Sequence, residues 1–226
     1  MTDPHGIDVA AFAAEIAARL RALPNRTVPI VRRVRREFSQ RLAHAPAQVV
    51  LTLAFHLLDH PDFESRFVAY ELVSNHRAAL RSLHAQELEQ LGRGMDDWGA
   101  VDTFACYLAG PAWREHQIAD SVVHAWAHSP DRWWRRAALV SSVALNNHAR
   151  GGRGDAARTL AVCHLLVHDA DDMVVKALSW ALRELAKRDP QAVSAFLTEH
   201  EATLAARVVR EVRNKLTTGR KNPRRV

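Results

Sequence analysis

Apolar residues recur along this chain at intervals of three and four, and no stretch shows the strict alternation of a half-buried strand. The pattern predicts helices over 7–22, 29–43, 46–58, 62–73, 76–91, 97–108, 111–127, 131–147, 153–167, 170–188, 190–199 and 201–217. Pro24, Pro46, Pro61, Pro111, Pro130, Pro190 and the Gly151–Gly152 pair separate them, mostly at or before a helix start, where the missing N–H of proline is tolerated. Asp59 to Asp62, Ser129 to Asp131 and Asp169 to Asp172 place capping oxygens and negative charge at helix N-termini. From residue 46 onward the helices pair with a period of about 35–40 residues, which predicts an all-α, HEAT-like helical-repeat solenoid of stacked antiparallel helix pairs. Such stacks curve, and their concave face is the usual binding surface. No linker interrupts the pattern, so the expectation is a single domain over 1–219, followed by a basic, flexible tail over 220–226.

One helix departs from a simple amphipathic design. Over 172–188, Val174, Leu178, Ala181, Leu182 and Leu185 form the core-facing stripe. Trp180 falls on the opposite face, in register with Lys176, Arg183 and Lys187. A large aromatic among three cations is costly to expose unless something flat and anionic covers it, and nucleic acid fits that description.

Composition narrows the class. At 226 residues and 48% hydrophobic, the chain can bury a substantial core as one large domain or two small ones. Cys106 and Cys163 are far apart and form no metal or redox motif, as suits a reducing compartment. Neither a secretory signal nor a membrane-spanning apolar run is evident, so a soluble, cytoplasmic protein is expected. The net charge of +6 is unevenly distributed. Residues 207–226 hold eight bases and one acid, among them Arg207, Arg210 and Arg213, whereas the other 206 residues hold 23 bases and 24 acids. The basicity is therefore a directed patch rather than a general property of the surface. A second cluster lies at Arg32, Arg33, Arg35 and Arg36.

Three segments could carry chemistry. In Trp98-Gly-Ala-Val-Asp102 an aromatic and an acid meet on one helix face, beside a core stripe of Val101, Phe104, Ala105 and Leu108. In Arg132-Trp-Trp-Arg-Arg136, Trp133, Ala137, Val140 and Ala144 make the packed stripe, with Arg136 at its margin and Arg135 beside it. The third segment is the helix of Lys176, Trp180, Arg183 and Lys187. Together they offer aromatic faces, a carboxylate and phosphate clamps, a set matched by a nucleotide whose base is positively charged. An N-alkylated purine is such a base, and its charge makes it a good leaving group without further protonation. Cleaving its glycosidic bond requires stabilisation of an oxocarbenium-like sugar and placement of a water, both of which a carboxylate can supply. Each element also has a packing counterpart. Trp98 could be a core-edge residue, Arg136 could pair with Asp102 or Asp131 for structure alone, and Trp180 could pack between repeats. His124 and His128 have the spacing of a helical metal pair with His116 nearby, but no suitable third ligand is obvious, so no metal site is expected. Phosphate loops, deaminase signatures and nucleophile elbows are absent.

These same residues resemble a known family. Trp98-xxx-Asp102, the Trp-x-x-Arg element ending at Arg136, and above all Lys176-Ala-Leu-Ser-Trp-Ala-Leu-Arg-Glu184 with Lys187 and Asp189-Pro190 look like the AlkD-type DNA alkylation repair enzymes, HEAT-like-repeat DNA glycosylases. The resemblance covers nearly the whole chain. It implies a monofunctional DNA-alkylpurine N-glycosylase that hydrolyses the N-glycosidic bond of cationic N3- and N7-alkylpurines in double-stranded DNA, a base excision repair activity without metal or other cofactor. It also implies an open concave site. A DNA-wrapping solenoid needs no partner, so a monomer is expected, and the lack of a long apolar run predicts no membrane partner. Carried over by position, Asp102 would be the catalytic carboxylate, Trp98 and Trp180 would flank the lesion, and Arg136 would hold the DNA backbone. Lys176 and Arg183 are assigned to phosphates by their place on the face of Trp180, and Arg135, Lys187, Arg207, Arg210 and Arg213 extend the expected DNA contact. Gly99 stands where the family often has an acid, and the tail is more basic than expected. A non-catalytic binder of damaged or branched DNA on the same scaffold, or a protein-binding helical scaffold, is the alternative.

Overall fold

The computed structural model describes residues 8–223, so Arg224, Arg225 and Val226 of the expected tail and the first residue of the helix expected over 7–22 lie outside the described residues. Among the described residues every regular element is helical, in agreement with the all-α expectation. The helices group into two compact units, 1–94 and 95–226.

The N-terminal unit contains α1 (Val9–Arg21), α2 (Val28–Arg41), α3 (Ala47–Leu58), α4 (Phe63–Asn75), α5 (Arg77–Arg81) and α6 (Ala85–Gly92). Asp8 caps α1 by accepting from the Ala11 N–H at 3.0 Å, and Asp62 caps α4 by accepting from the Ser65 N–H at 2.8 Å. The α3 helix packs on α1 and α4, and α2 packs on α4. Ile16, Leu20, Phe38, Leu53, Leu57 and Tyr70 are fully enclosed, and the Tyr70 hydroxyl donates to the Leu91 carbonyl at 2.9 Å. The helix expected over 76–91 is interrupted at residues 82–84, where the Glu87 carboxylate accepts from the His84 N–H and starts α6 afresh.

The C-terminal unit contains α7 (Trp98–Phe104), a π-helical turn (Ala105–Ala109), α8 (Gly110–Arg114), α9 (Asp120–Ala127), α10 (Arg132–Asn146), a 3-10 turn (His148–Arg150), α11 (Ala156–Leu165), α12 (Asp172–Leu185), α13 (Pro190–His200) and α14 (Ala206–Thr218). Successive pairs α9–α10, α11–α12 and α13–α14 stack in a repeat-like arrangement, with α10 against α12 and α12 against α14. The expected stripe of α12 is buried at all five positions, as are Val101, Phe104, Ala105 and Leu108.

Two expectations are corrected in this unit. Pro111 does not end a helix, because the chain runs from α7 through the π turn into α8. Proline has no N–H and its ring presses on the carbonyl one turn back. The wide turn just before it, where the Gly110 N–H donates to the Ala105 carbonyl, accommodates that defect within a continuous helix. The helix expected over 111–127 is in fact two, α8 and α9. The break comes at His116, whose φ of 58° lies in the left-handed region. Gly110 is required by packing: a Cβ there would lie 2.5 Å from the Ala144 Cβ and 2.6 Å from the Ser141 carbonyl oxygen, so α8 and α10 touch through backbone.

Candidate functional site

Asp97 accepts from the N–H groups of Gly99 and Ala100 and thereby fixes the start of α7, so that Trp98 is its first residue and Asp102 follows one turn later. Trp98 is 61% exposed, the most solvent-exposed large apolar side chain among the described residues. Asp102 is enclosed but not sealed, with 18% of its side chain accessible. The pairing of Arg136 with Asp102, one of two open on the sequence, is the one that forms. Arg136 Nε donates to Asp102 Oδ1 at 2.9 Å and Nη2 donates to Oδ2 at 2.8 Å, a fork-on-fork contact. Its third nitrogen, Nη1, donates to the Met173 carbonyl at 2.6 Å, in the first turn of α12. One guanidinium on α10 thus joins the acid of α7 to the start of the helix that carries Trp180. Arg136 is buried rather than marginal, and Trp134, not Trp133, joins the aromatic packing with Phe104 and Trp126. Trp133 instead carries the Arg132 guanidinium 4.9 Å from its ring centre.

The environment of Asp102 sets opposing forces on its proton. Burial dominates and pushes the carboxyl above the ordinary aspartate range, while the hydrogen bonds and charge of Arg136 hold it down and the nearby charge of Asp97 adds to the rise. The result is an acid held rigidly, more basic than a surface aspartate, and still in reach of solvent.

The cations fall into two groups. Arg135 donates to Asp169 at 2.6 Å and to the Ser129 and Pro130 carbonyls at 3.1 and 2.9 Å, so it secures the loop before α10. Arg183 lies half-buried with Nε 3.1 Å from Ser179 Oγ, which in turn donates to the buried Glu211 at 2.6 Å. Burial lowers the Arg183 pKa, against the pull of Glu211 and Glu184. More accessible are Lys176 and Arg207, which converge on Asp172 at 2.6 and 3.5 Å and bring α12 and α14 together at their basic faces. Lys187 pairs with the buried Glu184 at 2.7 Å but is exposed, Arg213 pairs with Glu201, and Arg210 is exposed without an ion pair among the described contacts. Trp180 is half-buried on α12, between the turns of Lys176 and Arg183. His116, His124 and His128 form no three-ligand group among the described residues.

A family described as DNA alkylation repair enzyme matches residues 22–216. The chain belongs to that family. No curated protein matches it. Membership of the DNA alkylation repair enzymes carries DNA binding with it, and the match spans every residue of the constellation above. No described helix is long and apolar enough to cross a membrane.

Several partners of the site were not singled out on the sequence: the Met173 carbonyl, Asp172 as the meeting point of Lys176 and Arg207, and Glu211 behind Arg183. A signal for some of them exists. Arg136 reaches Asp102 and Met173 across 34 and 37 residues, Arg132 reaches Asp171 across 39, and Arg135 reaches Asp169 across 34. Those separations are close to one helix-pair period, so side chains one repeat apart are natural neighbours.

Proposed function

We propose that this DNA alkylation repair protein is a monofunctional DNA glycosylase that hydrolyses the N-glycosidic bond of cationic N3- and N7-alkylated purines in double-stranded DNA. The observation that carries this reading is Asp102: an acid whose side chain stays partly accessible, clamped on two oxygens by a buried arginine and lying one helical turn from an exposed tryptophan. A structural acid would be better served by complete enclosure. A catalytic one needs a fixed orientation and an open side.

In the proposed reaction the bond between C1′ and the base nitrogen lengthens first, and its electron pair neutralises the cationic base, which leaves without an added proton. The Asp102 carboxylate faces the positive charge that develops on the sugar and stabilises it in a site where solvent is partly excluded. It also orients a water whose oxygen bonds to C1′, and the released proton passes to the carboxylate or to solvent. The raised basicity of Asp102 favours that second role. Trp98 and Trp180 flank the lesioned nucleotide, where an aromatic face attracts the cationic base. Lys176, Lys187, Arg183, Arg207, Arg210 and Arg213 contact phosphates. Arg135 and Arg136, with their nitrogens committed to protein partners, act by fixing the loop before α10 and the carboxylate of Asp102.

The test is release of free base from duplex DNA carrying 7-methylguanine, comparing the wild type with Asp102→Asn. Release by the wild type and none by the variant, at equal DNA affinity, is the expected result. Tight, salt-sensitive DNA binding without release by either protein would reassign the chain to non-catalytic recognition of damaged DNA. Parallel loss of binding and release in the variant would make Asp102 a scaffold residue.

A further inference from the structure

A second constellation lies on other helices of the C-terminal unit. His164, in the last turn of α11, and His200, the last residue of α13, face each other with His164 Nδ1 and His200 Nε2 2.8 Å apart. Glu199 Oε1 stands 3.5 Å from the same His200 nitrogen, and one ligand atom from each of the three residues fits within 4.8 Å of the others. Phe196, buried at 2% exposure, packs its ring against both imidazoles at centroid distances of 4.8 and 4.6 Å. The apolar ring backs the pair on one side, while His164 and Glu199 open to solvent on the other.

We propose that His164, Glu199 and His200 form a binding site for a divalent cation of the zinc class, which clips α11 to α13. Two ring nitrogens aimed at one another can share only one hydrogen, and both point inward although water is within reach. A cation in place of that hydrogen satisfies both lone pairs at once. Tetrahedral zinc with bonds of about 2.0–2.1 Å separates its ligand atoms by roughly 3.3 Å. The pair of nitrogens would open by about half an ångström to reach that geometry, and the Glu199 oxygen, 3.5 Å from the His200 nitrogen and within 4.8 Å of the His164 nitrogen, would close on the latter, movements that side-chain torsions can supply. Two imidazoles and one carboxylate select a borderline divalent ion such as zinc over calcium or magnesium, which prefer all-oxygen shells. Water fills the fourth position. His164 and His200 are 36 residues apart, again near one helix-pair period, so the ion ties corresponding positions of successive pairs. None of the three residues belongs to the proposed excision site, and the clip acts on stability.

The experiment is a zinc titration of the full chain in competition with a chromophoric chelator, repeated for His164→Ala, His200→Ala and the double variant. The wild type should take up one zinc per chain and gain thermal stability on doing so. Each single variant should lose affinity by at least about tenfold, since loss of a mere orienting partner already costs 10–100-fold. Base release from 7-methylguanine DNA should be unaffected by the variants. Histidine ring resonances offer a readout that needs no substitution, because zinc should shift those of His164 and His200 in the wild type. Uptake that persists unchanged in the double variant, no uptake by the wild type at millimolar zinc, or shifts confined to other histidines would each overturn the proposal.

Discussion

Glu71 in the N-terminal unit and Asp102 in the C-terminal unit are both acids held by arginine across roughly one helix-pair period, yet they are built for opposite ends. Glu71 is 3% exposed and is gripped from two sides, by Arg32 at 2.7 Å on one oxygen and Arg35 at 3.1 Å on the other. Both of its oxygens are taken by separate cations, and no side remains for a ligand. Asp102 meets a single guanidinium, edge to edge, and keeps 18% of its side chain accessible. A buried acid with two arginines is a rivet in the scaffold. A buried acid with one arginine and an open side retains a charge that can act on something else, at the expense of a proton affinity raised by burial.

The largest expected difference is in catalysis. Asp102→Asn should reduce base release by about 1000-fold or more, comparable to loss of a principal electrostatic stabiliser, with DNA affinity kept within a few-fold. Glu71→Ala should leave catalysis per folded molecule unchanged but cost about 3 kcal/mol of stability, because two arginines are then left facing a vacated buried site. Urea unfolding of the two variants, alongside their excision rates, checks the contrast. If Asp102→Asn lost stability but little activity, the two acids would be alike.

The next effect is on pH. The folded protein holds the Asp102 proton more tightly than an ordinary aspartate does, and the proposed reaction needs the carboxylate, so excision should fall as pH drops through that raised value. Arg136→Met removes the hydrogen bonds and charge that oppose the rise, so the acidic limb of the rate profile should move to higher pH. The sign for stability is the reverse of that for an acid whose folded value is depressed. A raised folded value means that stability from this group is present at low pH and is lost as pH rises through it. An unmoved limb in Arg136→Met would detach the observed titration from Asp102.

The smallest effect concerns the cations. Arg210 faces solvent on α14 without an ion pair among the described contacts, whereas Arg35 is bound to Glu71. Arg210→Ala should lower the slope of log affinity against log salt by about 1, the loss of one phosphate contact, and Arg35→Ala should leave that slope in place. Filter binding of duplex DNA over a salt series distinguishes them, and equal slopes in the two variants would remove Arg210 from the DNA contact.

Much of the scaffold was legible because its signals are local. The α12 stripe of Val174, Leu178, Ala181, Leu182 and Leu185 is set by spacing within one helix and is buried at every position. The expected capping regions before α4, α10 and α12 contain the Asp62, Asp131 and Asp171 side chains that accept from the first turns. The departures came where backbone chemistry had two solutions. Pro111 can end a helix or sit behind a π turn, and only the packing of Gly110 against α10 selects the second. Trp133 and Trp134 are adjacent on a helix, and the pocket made by Phe104 and Trp126 decides which one packs.

By itself the sequence determined an all-helical chain, its repeat period, the face that carries Trp180 with its cations, and the pairing of Trp98 with Asp102 on one turn. Those follow from periodicity, because a helix fixes the relation of residues three and four apart wherever it is placed. Only the tertiary structure decided that Arg136 takes both oxygens of Asp102 and a carbonyl of α12, that Asp102 keeps an open side while Glu71 does not, and that His164 meets Glu199 and His200. Such contacts join residues about one repeat apart, and the period brings their helices together without saying which side chains face each other. That choice rests on the depth and rotation of each helix against its neighbour, which the packing of the whole unit sets.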